Sequence, residues 1–126
     1  VLRIVPPALT TWSDRSGVTW RPGRAGSQEL RADLVGPDDE PGRLDLSLRE
    51  WREGERTAAH HHDEDLLLQV LTGRLHVIAE DGGGEHVLAA GHSVHVPAGL
   101  RHHEEALETC RFLVVAVTPS TYHEAR

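Results

Sequence analysis

The residues best equipped for chemistry are histidines: the chain carries ten of them, three in the unbroken run His60-His61-His62. A neutral imidazole offers a nitrogen lone pair to zinc, iron, nickel or copper, so histidines at strand spacing point to a metal site. His60 and His62 are two positions apart. On a β-strand that spacing puts both rings on one face, close enough to grip a single ion, while His61 points the other way. A third ligand must then arrive from elsewhere in the fold. The run is internal, which argues against a purification tag.

Other chemistry-bearing residues are less well placed. His95, between Val94 and Val96, is positioned to reach a ligand from behind or to make a subunit contact, and is a candidate catalytic residue together with Glu64. His76, His86, His92 and His123 read as solvated. The acidic run Asp63-Glu64-Asp65 reads as a rim that attracts cations, and Cys110, the single cysteine, reads as a buried small hydrophobe. No lysine occurs, which excludes Schiff-base and lysine-base chemistry. There is no GxSxG elbow, phosphate loop or dinucleotide fingerprint, and Ser93 beside His92 and His95 belongs to no nucleophile motif.

The elements that must position these residues are short. Turn signals at Pro6-Pro7, Arg21-Pro22-Gly23, Gly36-Pro37, Glu40-Pro41-Gly42, Asp81 to Gly84 and Pro97-Ala98-Gly99 leave little room for helices. Leu44, Leu46 and Leu48 alternate with Asp45, Ser47 and Arg49, the period-2 pattern of a strand with one buried face. Leu66 to Leu71, Leu75 to Ala79, Val87 to Ala89, Val94 to Val96 and Phe112 to Val117 are further predicted strands, with Asp81 to Gly84 as a hairpin loop. An all-β sandwich or barrel follows, closed to protect its strand edges. Residues 1–30, which include Trp12 and Trp20, fit either an extra strand against a second subunit or a loop over the barrel mouth.

The 126 residues suit one domain. A net charge of −7 with 4% aromatic residues is a poor match to a nucleic-acid backbone. The longest apolar runs fall far short of the roughly 20 residues that span a membrane, and no signal peptide precedes Val1. A soluble, cytoplasmic protein is expected, without nucleic acid or membrane as partner.

Two motifs resemble those of the cupins. The first runs from Gly54 across five residues to His60-His61-His62 and closes at Gly73. The second runs from Gly91 across five residues to Pro97-Ala98-Gly99 and then His102. The resemblance covers residues 54–106 and extends plausibly over 44–118, with 1–43 as an N-terminal extension. It implies a double-stranded β-helix, the cupin jelly roll, in which His102 joins His60 and His62 as ligands to one divalent transition metal: Zn, Fe, Mn or Ni. His103, beside His102, should then face away.

The departures from the family pattern are informative. The Glu ligand expected after His62 is replaced by Leu66 or Leu67, and the closing Asn by Ala106. Glu64 has the strand parity to substitute, whereas Asp65 needs a bulge. Without a carboxylate the ion would be a stronger Lewis acid, and Leu66 and Leu68 would form an apolar pocket wall. The resemblance therefore implies an enzyme acting on a small molecule with a chelating oxygen and an apolar body. Lewis-acid chemistry (cyclase, isomerase or lyase) and Fe(II) dioxygenase chemistry both fit, since small stand-alone cupins include polyketide cyclases and dioxygenases. The alternative is a non-catalytic small-ligand- or metal-binding module. A homodimer is expected in either case.

Overall fold

The computed structural model of the chain describes residues 19–35, 44–116 and 121–124. Every regular element among them is a strand, as the turn density requires: β1 (Arg21–Pro22), β2 (Leu30–Val35), β3 (Asp45–Trp51), β4 (His60–His61), β5 (Leu66–Thr72), β6 (Leu75–Ala79), β7 (Glu85–Leu88), β8 (Ser93–Val96), β9 (His102–Ala106), β10 (Cys110–Ala116) and β11 (His123–Glu124). All pairings are antiparallel and make two sheets. One is ordered β1-β2-β3-β10-β5-β8, the other β11-β4-β9-β6-β7. This is the jelly-roll architecture. Its main core lies between the sheets, where Leu68, Val70, Phe112 and Val114 from the first meet Leu75, Val77 and Ala106 from the second.

Of the segment before residue 44, the described part is a hairpin on this chain's own sheet. Leu30 lies opposite Glu50 and Ala32 opposite Leu48. Residues 1–18, which include Trp12, and 36–43, 117–120 and 125–126 lie outside the described residues.

Strand β3 corrects one expectation. The Leu44, Leu46, Leu48 face is not the core face: Leu44 is exposed and Leu46 half-buried, whereas Ser47 and Trp51 are buried. Ser47, Arg49 and Trp51 share the inward face, with Trp51 in the main core, and Leu48 is buried on the opposite face with Glu50. Because both faces of this internal strand are covered, alternation marks a strand there without telling which side is inside.

The two motifs are fastened to each other. His60 pairs with His102 across β4 and β9, the Gly54 amide donates to the Ala106 carbonyl at 2.8 Å, and the Gly99 amide donates to the His62 carbonyl at 2.8 Å. Gly99 makes its turn at φ +80°, a region that side-chain-bearing residues rarely enter. Gly73, at φ +79°, ends the first motif between β5 and β6, where a Cβ would strike the Thr109 carbonyl and Cys110.

Candidate metal centre

The β4/β9 register places three imidazoles together. His60, His62 and His102 are all buried, and each offers a ring nitrogen within 4.8 Å of the others. Their tautomers are set from behind. Nδ1 of His60 donates to the Ala58 carbonyl at 2.8 Å, Nδ1 of His102 to the Leu100 carbonyl at 2.9 Å, and Nδ1 of His62 to the Thr121 carbonyl. Backbone carbonyls only accept, so Nδ1 carries the proton and Nε2 keeps its lone pair, the arrangement a metal-ligating histidine needs.

A carboxylate stands beside two of the three imidazoles, from a position that the motif spacing does not mark. Glu104, two residues after His102 on β9, brings Oε1 to 2.9 Å from His102 Nε2 and Oε2 to 3.6 Å from His60 Nε2. The Thr57 hydroxyl pins it, donating to Oε2 at 3.0 Å while accepting from the Glu104 amide at 3.0 Å. Among the described residues the buried His102 Nε2 makes no hydrogen bond of good geometry, its 2.9 Å approach to Glu104 Oε1 included. Donors bound at about 2.0–2.2 Å to a common ion stand roughly 3 Å apart, so this separation and the orphaned nitrogen both fit a shared cation. The donor set of three imidazoles and one carboxylate suits zinc, iron, manganese or nickel.

The electrostatics agree with that use. Burial disfavours the imidazolium and holds the pKa of His60 and His62 below the usual histidine value, against the pull of Glu104 on His60 and of the Thr121 hydrogen bond on His62. At His102 the burial penalty is outweighed by Glu104, and its pKa is raised. Burial alone would raise Glu104, but the contact with His102 and the Thr57 hydroxyl outweigh it and hold the carboxyl below the usual carboxylate range.

His60, His62 and Glu104 face a cavity of about 280 Å³. His60, His62, Thr57 and Glu104 form its polar side; Leu66, Leu68, Trp51, Phe112 and Val114 form an apolar wall from the six-stranded sheet. The N-terminal hairpin adds Arg21 and Arg24, and Tyr122 stacks on His60 with ring centroids 4.4 Å apart. The lining arginines are paired: Arg49 with Glu29 at 2.8 Å and Arg24 with Glu55 at 3.1 Å.

Several sequence candidates lie elsewhere. Glu64 is not at the metal cluster; its carboxylate accepts from the Thr121 amide at 2.6 Å and the Thr121 hydroxyl at 2.9 Å. Asp65 accepts from the Ala98 amide at 2.7 Å on the outside of the barrel. His95 is exposed, 3.5 Å from Asp65, with no contact to a ligand. His103 is half-buried against Glu80, and His76 pairs with Glu85 at 3.0 Å. Cys110 is buried and its thiol is pushed up to about 12 by burial, which leaves it inert. The expected site lacks a carboxylate; the structure brings one near it, Glu104 from the second motif's strand, 2.9 Å from His102 Nε2.

Nothing in the motif spacing singles out Glu104. His102 to Ala106 reads His-His-Glu-Glu-Ala, too polar to suggest a strand, yet His102, Glu104 and Ala106 form its buried face. The parity that links His60 to His62 would have linked His102 to Glu104, had β9 been recognised.

The same architecture occurs in known proteins. No curated protein matches the sequence. Among solved structures, the polyketide cyclase RemF from Streptomyces resistomycificus is 25% identical, with a TM-score of 0.74 over 90% of this chain and 83% of that one. A cupin-2 domain from Rhodospirillum rubrum superposes with a TM-score of 0.75 at 17% identity, covering 93% of this chain and 81% of that one. A cupin-superfamily sugar phosphate isomerase from Silicibacter pomeroyi gives a TM-score of 0.69 at 21% identity, covering 89% and 80%. The cupin domain family model matches residues 47–116, the stretch that runs from β3 to β10 and holds all four donors, and the chain therefore belongs to the cupin family.

Proposed function

We propose that this chain is a metal-dependent enzyme that uses one divalent transition ion, held by His60, His62, His102 and Glu104, to act on a small organic molecule by Lewis-acid chemistry of the cyclase, isomerase or lyase kind. The observation that carries the reading is the two-sided cavity: His60 and His62, with His102 behind them, and the Glu104 carboxylate on one side, and the apolar patch of Leu66, Leu68, Phe112 and Val114 on the other. Its volume of about 280 Å³ is near the low end for ligand pockets, roughly 300 Å³, and suits a compact substrate with one metal-seeking oxygen and an apolar body. The 25% identity to a polyketide cyclase over most of both chains supports the same class.

When bound, such an ion polarises a carbonyl oxygen. The chain's own residues do the rest. His60 and His62 stay neutral and available as donors because burial opposes their protonation. Glu104, fixed by Thr57, lowers the net charge of the site by one. Leu66, Leu68 and Phe112 receive the apolar body and exclude water. Tyr122 covers His60, with its phenol kept protonated by burial and by Glu124, its pKa pushed up to about 12.

The test begins with element analysis of purified protein and of protein stripped and reloaded with Zn(II) or Fe(II). The zinc form should turn over polycarbonyl or hydroxy-acid substrates with no oxygen uptake. Oxygen consumption by the iron form alone would move the assignment to a dioxygenase, and ligand binding without turnover in any form would make the chain a binding module. We also propose a homodimer; a light-scattering mass near 13.9 kDa would contradict it.

A further inference from the structure

Strand β4 has an outer face as well as an inner one. There His61 pairs directly with His123 across the β4/β11 ladder, and their rings lie nearly parallel, 4.9 Å between centroids at 25°. Asp63 follows on the same side, its Oδ2 2.9 Å from His123 Nε2. The three side chains offer donor atoms within 4.8 Å of one another. That 2.9 Å separation again matches adjacent ligands on one ion, whose bonds measure about 2.0–2.2 Å. Two imidazoles with one carboxylate select a borderline transition ion over calcium or magnesium, which prefer oxygen donors. The exposed side chains of Asp63 and His123 leave the remaining coordination positions to water.

What such an ion would do follows from the neighbouring contacts. The ladder between β4 and β11 is only two pairs long, His123 with His61 and Glu124 with His60. Yet this short segment carries the Thr121 carbonyl that orients His62 and the Tyr122 ring that stacks on His60. Asp63 is also tied to it, through its amide and the Thr121 hydroxyl at 2.8 Å. We propose that His61, Asp63 and His123 form a second, exterior site for a divalent transition ion such as Zn(II), which staples β11 to β4 and thereby steadies Thr121 and Tyr122 against the interior histidines. The exterior site stands on its own residues and does not depend on the interior assignment.

Calorimetric titration of the metal-stripped full chain with Zn(II) tests it. Two classes of site are expected, and His123→Ala should remove the weaker one while leaving the tighter. Asp63→Asn should weaken the same class more than about tenfold, the loss expected when a metal loses a directly bound group. Hydrogen exchange at the amides of residues 121–124 should slow when the weaker class fills in the wild type, and not in His123→Ala. A weaker class that survives both substitutions with unchanged affinity would overturn the site, and filling it without slower exchange would overturn the staple. If the interior reading is the one that fails, the wild type shows a single class that His123→Ala abolishes and His102→Ala leaves intact.

Discussion

The two sheets of the barrel bring opposite materials to one cavity. The five-stranded sheet and the loop at its edge supply the candidate metal ligands: His60 and His62 at β4, His102 and Glu104 on β9. The six-stranded sheet supplies Leu66 and Leu68 from β5, Phe112 and Val114 from β10, and Trp51 from β3. The family's usual carboxylate position falls on β5, the apolar side, where this chain has Leu66; the carboxylate that it has stands on β9, the polar side. With these ligands on one sheet, the part of the opposite wall formed by Leu66, Leu68, Phe112 and Val114 is apolar. The difference teaches that a carboxylate absent from a motif position can still stand beside the motif's histidines when another strand presents it, as β9 presents Glu104 to His102 at 2.9 Å.

That contrast can be broken or sharpened experimentally. The largest effect is expected on the polar side: His102→Ala should leave less than about a tenth of an equivalent of metal after dialysis, because affinity needs all the imidazoles together. Full occupancy by elemental analysis would show the ligand set to be wrong. On the apolar side, Phe112→Ala removes the ring that meets Trp51 edge to face at 5.1 Å. It should destabilise the fold by about 3–5 kcal/mol in denaturant unfolding, with metal stoichiometry preserved; a loss near zero would mean that the wall is not part of the core.

A smaller effect is expected at the exchanged carboxylate. Glu104→Gln should lower metal affinity about 10- to 100-fold, and adding Leu66→Glu should recover part of it by returning a carboxylate to the other sheet. No loss in the single variant would remove Glu104 from the donor set. The most delicate effect is the order of protonation in metal-free protein, read from imidazole NMR shifts. His102, raised by Glu104, should take its proton first as pH falls. His60 and His62, lowered by burial, should follow below the ordinary value of about 6.5. Acid should therefore displace the ion first at His102. Simultaneous titration of the three would show that Glu104 does not distinguish them.

Much of this was legible along the chain. Glycine and proline spacing marked the strand boundaries from β5 to β8, because turns with positive φ leave a compositional trace at Gly73, Gly91 and Gly99. The paired motifs brought His60, His62 and His102 into view. Less legible were β9, whose polar run conceals a buried face, and the side of β3 that looks inward, since Leu48 and Trp51 are both buried on opposite faces. Glu64 and Asp65 looked like the nearest substitutes for the missing ligand only because sequence distance stood in for spatial distance.

By itself, then, the sequence determined an all-β barrel with three histidines at motif positions, because turn chemistry and period-2 spacing are local properties of the backbone. Only the tertiary structure decided that Glu104 stands beside His102, that Glu64 goes to Thr121, and that Tyr122 covers His60. Each depends on which strands become neighbours when the sheets close. That pairing comes from burial of the whole core and from contacts between residues distant in sequence, and no single segment encodes it.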